Sequence, residues 1–270
     1  LTEEKMHATD VSNASRTMLF NIHTCSWDTS LCALFDIPAS ILPIVHASAA
    51  DYGTLRKDIL GCSIPITALM GDQQAALFGQ MCVDKGDVKM TYGTGGFILA
   101  NIGSAPIQSK NRLLTTIAWQ REGETVYAQE GSVFIAGAAI QWLRDNLGLI
   151  DNSAESERFA FEAGEDHGLV FVPSFTGLGA PYWRPDIKGL LYGLTRGTGK
   201  REIVRACLEG IAFSTKDVVD AICKDTGIIL KSLRVDGGAS SNNFLMQFQS
   251  DVLRTSIERP KVFEDRKSVV

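Results

Sequence analysis

What this 270-residue sequence has little of narrows it first. Its six cysteines (Cys25, Cys32, Cys62, Cys82, Cys207, Cys223) form no C-x-x-C pair and stand near no histidine pair, so neither a zinc site nor a disulfide framework is indicated. Reduced core thiols in a cytoplasmic protein are the reading. The four histidines (His7, His23, His46, His167) are scattered, none in an H-E-x-x-H pattern, and carry no assigned role. Basic residues are the minority, 26 Lys and Arg against 31 Asp and Glu; a formal charge of -5 argues against nucleic acid as a main partner. No apolar run approaches the roughly 18 residues of a membrane span. The opening "LTEEKMHATD" has neither a signal peptide's layout nor an initiator Met, so the chain is expected to be a piece of something longer. Proline is sparse, at 8 beside 25 Gly; with 45% hydrophobic and 21% charged residues the composition is that of an ordinary globular protein.

What is present alternates between helix and strand signals, which predicts an α/β chain. "DQQAALFGQM" reads as a helix with Asp72 in the N-cap position. "GDVKMTY" and "GFILANI" read as strands around a glycine turn, and "TVYAQEG" as a third strand. "SVFIAGAAIQWLRDNLG" reads as a helix from Ser132 with its finish at Gly148. "LVFVPSF" is strand-like, and "TGLGAPYWRPDIKG" is a long loop. From Arg201 to Cys223 the residues Val204, Cys207, Leu208, Ile211, Thr215, Val218, Val219 and Ile222 fall on one stripe, so this helix packs against a sheet. The series ends as a strand from Ser232 to Val235, a turn at Gly237 and Gly238, and a helix from about Ser241. A boundary near residues 70 to 80 divides a turn-rich first quarter from the regular remainder. Fixed-period repeats are missing.

Two loops are alike: "YGTGG" between strands and "DGGAS" between strand and helix. Consecutive glycines let backbone N–H groups point into one concavity, and a following helix N-terminus adds about half a positive charge. An acidic protein can hold phosphate in this way, with Thr94 and Asn242 as side-chain donors. Either loop alone reads first as a plain tight turn; it is the pair that points to phosphate. The familiar phosphate loops are excluded: "GTGG" lacks the third glycine of G-x-G-x-x-G and precedes a strand, and in "RGTGKR" Leu194 and Arg201 stand where a Walker loop needs Gly and Ser or Thr.

Seven blocks in order, "TDVSNASRTMLFNI", "GDQQAALFGQ", "TYGTGGF", "GAAIQWLRD", "FTGLGAPYW", "GLTRG" and "RVDGGASSNNFLMQFQSDVL", cover about residues 9 to 260. Together they resemble the glycerol kinases, within the FGGY carbohydrate kinases of the actin-like ATPase fold. The resemblance implies a ribonuclease H-like domain with a mixed sheet flanked by helices, residues 1–76 being the tail of a substrate-side domain and 77–270 a nucleotide-binding domain incomplete at its C-terminus. It implies ATP-dependent phosphorylation of glycerol with Mg2+. By position, Asp72 matches the general base, Gln73 a glycerol hydrogen-bonding residue and Phe97 an aromatic that packs on the polyol. Thr94 and Gly95 match contacts to the nucleotide phosphates, Gly137 and Gln141 nucleotide contacts on a helix, and Gly238 and Asn242 the adenosine end. On this reading the glycines of "YGTGG" let main-chain donors approach phosphate oxygens closely.

The departures shape the expectation too. Family members begin with a further domain bearing a glycine-rich hairpin, an Mg2+-associated Asp and several glycerol contacts, to which nothing here corresponds; no metal ligand is assigned. After Pro260, "KVFEDRKSVV" replaces the small-residue helix expected to close the second domain, and "TLRKDILGCS" occupies the place of a regulator-binding loop. The chain is therefore expected to hold about half of an active-site cleft. The expected partners are glycerol and ATP, with no nucleic acid and no membrane span; a homo-oligomer stays open. Two other activities stand beside the first: a kinase for another polyol or ketose, and a truncated, non-catalytic ATP-binding module.

Overall fold

The computed structural model describes residues 1–2, 6–165 and 167–260. The expectation for "KVFEDRKSVV" lies outside the described residues. Two compact units are present, and the chain passes between them more than once. The first holds Leu1–Lys85, Asn101–Gln108 and Thr115–Gln129; the second holds Gly86–Ala100, Ser109–Leu114 and the chain from Glu130 on.

In the first unit short elements follow one another, as its turn-rich composition requires. Strand β1 (Ala8–Asp10) runs straight into helix α1 (Val11–Ala14), because the Asp10 side chain accepts the N–H groups of Ser12 and Asn13 and so caps that turn. A two-residue hairpin follows, β2 (Phe20–Asn21) with β3 (Ser26–Trp27), then α2 (Thr29–Leu34), which Asp28 caps in the same manner. Strand β4 (Ile44–His46) returns to pair parallel with β1, placing Asp10 opposite His46. Next come β5 (Thr54–Leu55), α3 (Lys57–Leu60), β6 (Ile64–Pro65) and α4 (Asp72–Gly79).

A six-stranded sheet is the main framework. In chain order its strands begin with β7 (Val88–Tyr92), β8 (Gly96–Gly103), β9 (Leu114–Arg121) and β10 (Glu124–Val133). Helices α5 (Gly137–Asp145) and α6 (Glu155–Glu162) come next, followed by a separate strand pair, β11 (Val170–Val172) with β12 (Leu190–Tyr192). Then come the long helix α7 (Lys200–Thr226), strand β13 (Ser232–Asp236), helix α8 (Asn243–Leu253) and edge strand β14 (Ser256–Glu258). The sheet order is β14-β13-β7-β8-β10-β9. Strand β13 lies parallel to both β14 and β7, whereas β7 and β8 form an antiparallel hairpin, so the sheet is mixed as expected. Every residue of β7 is buried, as a strand covered on both faces requires.

The stripe read on α7 holds throughout: Val204, Cys207, Leu208, Ile211, Thr215, Val218, Val219 and Ile222 are all buried. All of these but Thr215 share one hydrophobic core with Val88, Met90, Ile98, Leu233 and Val235 of the sheet. The fit is close at Gly131, where an added Cβ would stand 2.3 Å from Val218. The helix ends at Gly227, whose φ of +68° is the left-handed cap that glycine adopts without penalty.

Two sequence expectations about these elements change, and one element is new. The helix read from Ser132 begins at Gly137 and ends at Asp145, because β10 carries on through Val133 before the chain turns. Ladder hydrogen bonds along β10 outweigh the local helix preference of the Ala-rich stretch that follows. The helix read from about Ser241 is preceded by a 3-10 turn over Gly238–Ser241, and Asn242 is its N-cap, accepting the N–H of Leu245 at 2.9 Å. Strand β9 is an element the sequence reading missed. Its signal was the β-rich "LTTIAWQ" joined to β10 through Glu122 and Gly123, both at positive φ, which is the geometry of a tight two-residue hairpin turn.

Candidate functional site

The second unit contains a pocket of about 830 Å3, built where three backbone segments meet. One segment is the loop between β7 and β8, another the start of α5, and the third the turn after β13. Carbonyls of the first segment hold the second. Gly137 donates its N–H to Gly93 O at 2.9 Å, and the N–H groups of Ala136 and Ala138 both go to Thr94 O, at 2.9 and 3.0 Å. The orphan donors of the α5 N-terminus are thus taken up by the hairpin loop.

This packing gives the glycines a first reason of their own. A Cβ at Gly137 would stand 2.6 Å from Gly93 O, and one at Gly95 would stand 2.6 Å from Val133 O. Gly237 has φ +83°, and its Cβ would be 2.4 Å from Tyr92 O. Only residues without a side chain let the three segments approach so closely. Gly238 differs: nothing lies within 4 Å of its Cβ direction, so it presents open space to the pocket.

The remaining wall comes from the first turns of α6 and α8. Ser153, Ala154 and Glu157 line it from α6, Ser241, Asn242 and Asn243 from the approach to α8. Consecutive residues pair across this seam. Asn242 Nδ2 donates to Ser156 Oγ at 3.0 Å, while the Glu157 carboxylate accepts both the backbone N–H of Asn243 and its Nδ2, the latter at 3.0 Å. Glu157 therefore supplies an anionic acceptor to the N-terminus of α8, where the helix dipole favours negative charge. Arg259 closes the arrangement, donating to Asn243 Oδ1 at 3.0 Å and Ser240 O at 3.2 Å. Behind the pocket, the buried Tyr92 hydroxyl donates to Gln249 Oε1 at 3.0 Å; burial pushes its pKa above the ordinary range. Ile140, Ala154 and Ala239 add apolar surface to an otherwise polar lining in which, among the described residues, Glu157 is the one charged side chain.

Of the sequence-predicted nucleotide residues, Thr94, Gly137, Gln141, Gly238 and Asn242 all line this one pocket. Gly95 sits beside Thr94 but faces the backbone of Val133 and Phe134. Asn242, read as an available donor, is instead 8% exposed with its side chain engaged to Ser156 and Leu245, so its first task is to hold the wall. Phe97 lies on β8, 37% exposed and outside that lining. Sequence reasoning missed Glu157, Ser153 and Asn243. Asn243 stood next to a chosen residue, whereas α6 gave no motif that would have singled out Glu157.

Asp72 and Gln73 stand together at the start of α4 in the first unit. The N-cap is Gly71, and Asp72 is the first helical residue; its side chain accepts the N–H of Gln73, a donor of the first turn, at 2.7 Å and Gln73 Nε2 at 3.4 Å. This corrects the capping expectation. Such a carboxylate, exposed and engaged only by Gln73 among the described residues, keeps acceptor capacity for an incoming donor.

Residues 88–266 match the C-terminal domain of the FGGY family of carbohydrate kinases, and residues 1–79 match the N-terminal domain of that family. Among curated proteins, the glycerol kinase of Limosilactobacillus reuteri (strain DSM 20016) is 56% identical over 265 residues, 98% of this chain and 53% of the relative. The glycerol kinase of Shewanella oneidensis is 54% identical over 264 residues, with the same coverage. The chain spans about half the length of the curated relatives it matches. Among solved structures, Plasmodium falciparum glycerol kinase with ADP superposes with a TM-score of 0.88 at 42% identity, covering 94% of this chain and 51% of that one. A ligand-bound xylulose kinase from Lactobacillus acidophilus gives 0.86 at 24% identity over 98% of this chain and 54% of its own, a likeness of fold alone.

Proposed function

Because the chain belongs to the FGGY family of carbohydrate kinases, with their actin-like ATPase fold, we propose that it serves ATP-dependent phosphorylation of glycerol to glycerol 3-phosphate. The observation that carries this reading is the convergence of Thr94, Gly137, Gln141, Gly238 and Asn242 on one pocket, five residues carried over by resemblance to the family. The pocket suits a nucleotide: about 830 Å3, backbone-lined at its glycine turns, with Ile140, Ala154 and Ala239 to receive a flat ring.

Phosphoryl transfer of this class passes through a loose transition state, so the protein chiefly positions the groups and stabilises charge. Asp72 is the general base, its carboxylate taking the proton of the attacking glycerol hydroxyl. Gln73 beside it hydrogen-bonds the polyol, and Phe97 packs on its carbon chain. Thr94 and Gly95 serve the phosphates, with Gly137 and Gln141 holding the nucleotide and Gly238 and Asn242 the adenosine end. Magnesium would enter with the phosphates. Among the described residues no group of three or more His, Cys, Asp or Glu could hold a metal ion, and no step is routed through one. Among them too, no helix is long and apolar enough to cross a membrane; the cytoplasm is the compartment proposed.

The test is product analysis by the full-length protein over a panel of polyols and ketoses with ATP. Glycerol 3-phosphate as the dominant product supports the reading. Preferential phosphorylation of another acceptor, or ATP binding with no transfer to any, overturns it.

A further inference from the structure

The block "TDVSNASRT" contains a fully buried carboxylate that the proposed chemistry does not use. Asp10 is 0% exposed, yet four donors converge on it. Its Oδ2 accepts Ser12 N at 3.0 Å and Ser48 Oγ at 2.8 Å, and its Oδ1 accepts Asn13 N at 2.9 Å and Asn13 Nδ2 at 2.7 Å. A buried charge is tolerable when its lone pairs are met in this way, and the arrangement then resists deformation. The charge is felt nearby: burial first, and Asp10 second, raise the Tyr52 hydroxyl above its ordinary range.

What the cluster holds rigid is Ser12, itself 0% exposed. Its Oγ accepts the backbone N–H of Gly71 at 2.9 Å. Gly71 is the N-cap of α4 and Asp72 the next residue. The N–H of an N-cap residue is often met by a Glu or Gln side chain three residues on. Here a hydroxyl from another element of the same unit takes that part. The approach is tight, since a Cβ at Gly71 would stand 2.5 Å from Gln74 Oε1 and 3.7 Å from Asn13 Oδ1. Two hydrogen bonds thus lead from a buried, four-fold bonded carboxylate to the backbone that carries an exposed one.

We infer that Ser12, anchored by Asp10, is a positioning residue that fixes the N-terminus of α4 and thereby the placement of the Asp72 carboxylate. The inference rests on the proposed role of Asp72 as base. A proton acceptor misplaced by about 1 Å can cost on the order of 100-fold in rate without any lost substrate contact. Ser12 is fully buried, away from any substrate, so its removal acts on turnover rather than on binding.

The experiment compares Ser12→Ala, Ser12→Cys, Ser12→Thr and Asp72→Asn in the full-length protein. Ser12→Ala is expected to lower kcat roughly 10- to 100-fold with KM for ATP and glycerol within about twofold of the parent, and to speed hydrogen exchange at the Gly71 amide. Ser12→Thr, which keeps the hydroxyl, restores most of the turnover. In an Asp72→Asn background, Ser12→Ala has little further effect, as expected of residues acting as a unit. Should Ser12→Ala fail to fold, Ser12→Cys decides, since it keeps the volume and offers only a weak acceptor. Parental kcat in Ser12→Ala or Ser12→Cys beside an inactive Asp72→Asn overturns the inference alone, as does unchanged Gly71 exchange. Full turnover by Asp72→Asn instead removes the base assignment and the inference with it.

Discussion

The amide of Gly137 donates to the carbonyl of Gly93 at 2.9 Å, and the same oxygen would lie 2.6 Å from a Cβ on Gly137. One glycine thus both makes the bond that docks α5 on the hairpin loop and leaves room for it. Gly137→Ala should force the two backbones apart, costing about 1–3 kcal/mol as overpacking does. Urea unfolding of this variant is the measurement; a midpoint equal to the parent's would mean the loop shifts freely and the docking is not tight.

Gly237 and Gly238 separate what fold and ligand each require. Gly237→Ala meets positive φ and the Tyr92 backbone and should destabilise, while Gly238→Ala enters open space and should leave the midpoint unchanged. Nucleotide affinity, read by calorimetry with ATP, should fall for Gly238→Ala all the same, because its methyl occupies the pocket. Unchanged affinity would mean the nucleotide does not approach that wall.

Glu157→Ala removes an acceptor shared by two donors of Asn243 at the head of α8. A loss of about 1 kcal/mol in stability is expected, the size of a missing helix cap, together with weaker ATP binding. Glu157→Gln should recover part of both. If Glu157→Ala bound ATP as tightly as the parent, the seam between α6 and α8 would have no bearing on the pocket.

Asp72→Asn should shift the melting temperature little, since the amide oxygen of Asn can still accept the N–H of Gln73. Turnover should nevertheless drop about 10²- to 10⁴-fold, the usual contribution of a general base, with ATP binding retained. A glycerol phosphorylation assay showing parental rates would refute the role.

Asp225 supplies a pH dependence. Burial alone would raise its pKa, but hydrogen bonds from Ser109, Asn111 and the Lys110 and Asn111 amides together hold it below the ordinary carboxylate range. A carboxyl depressed in the folded state contributes stability above its unfolded pKa of about 4, and that contribution is lost as pH falls toward the folded value. Asp225→Asn should therefore be less stable than the parent at pH 7, with the gap narrowing by pH 3. Denaturation midpoints at the two pH values decide it; an equal gap at both would show that the carboxylate's charge contributes nothing.

Elements with a strong period of their own were legible in the sequence. The α7 stripe and the hairpin of β7 and β8 came through because each is specified by residues a few positions apart. Where two preferences competed, the sheet decided: Ser132 and Val133 joined β10 although the stretch reads as helix. Five of the nucleotide candidates were legible by resemblance and share one pocket, whereas Glu157 carried no local mark of its pairing with Asn243.

The sequence by itself determined the α/β class, the long helix and the glycine turns, since backbone propensity and hydrophobic spacing are written locally. Tertiary structure alone decided why the glycines are needed, which helix closes the pocket, and that Ser12 meets the N–H of the N-cap Gly71. The reason is physical: a hydrogen bond or a steric limit between residues far apart in the chain exists only once the path of the backbone has brought them within about 3 Å.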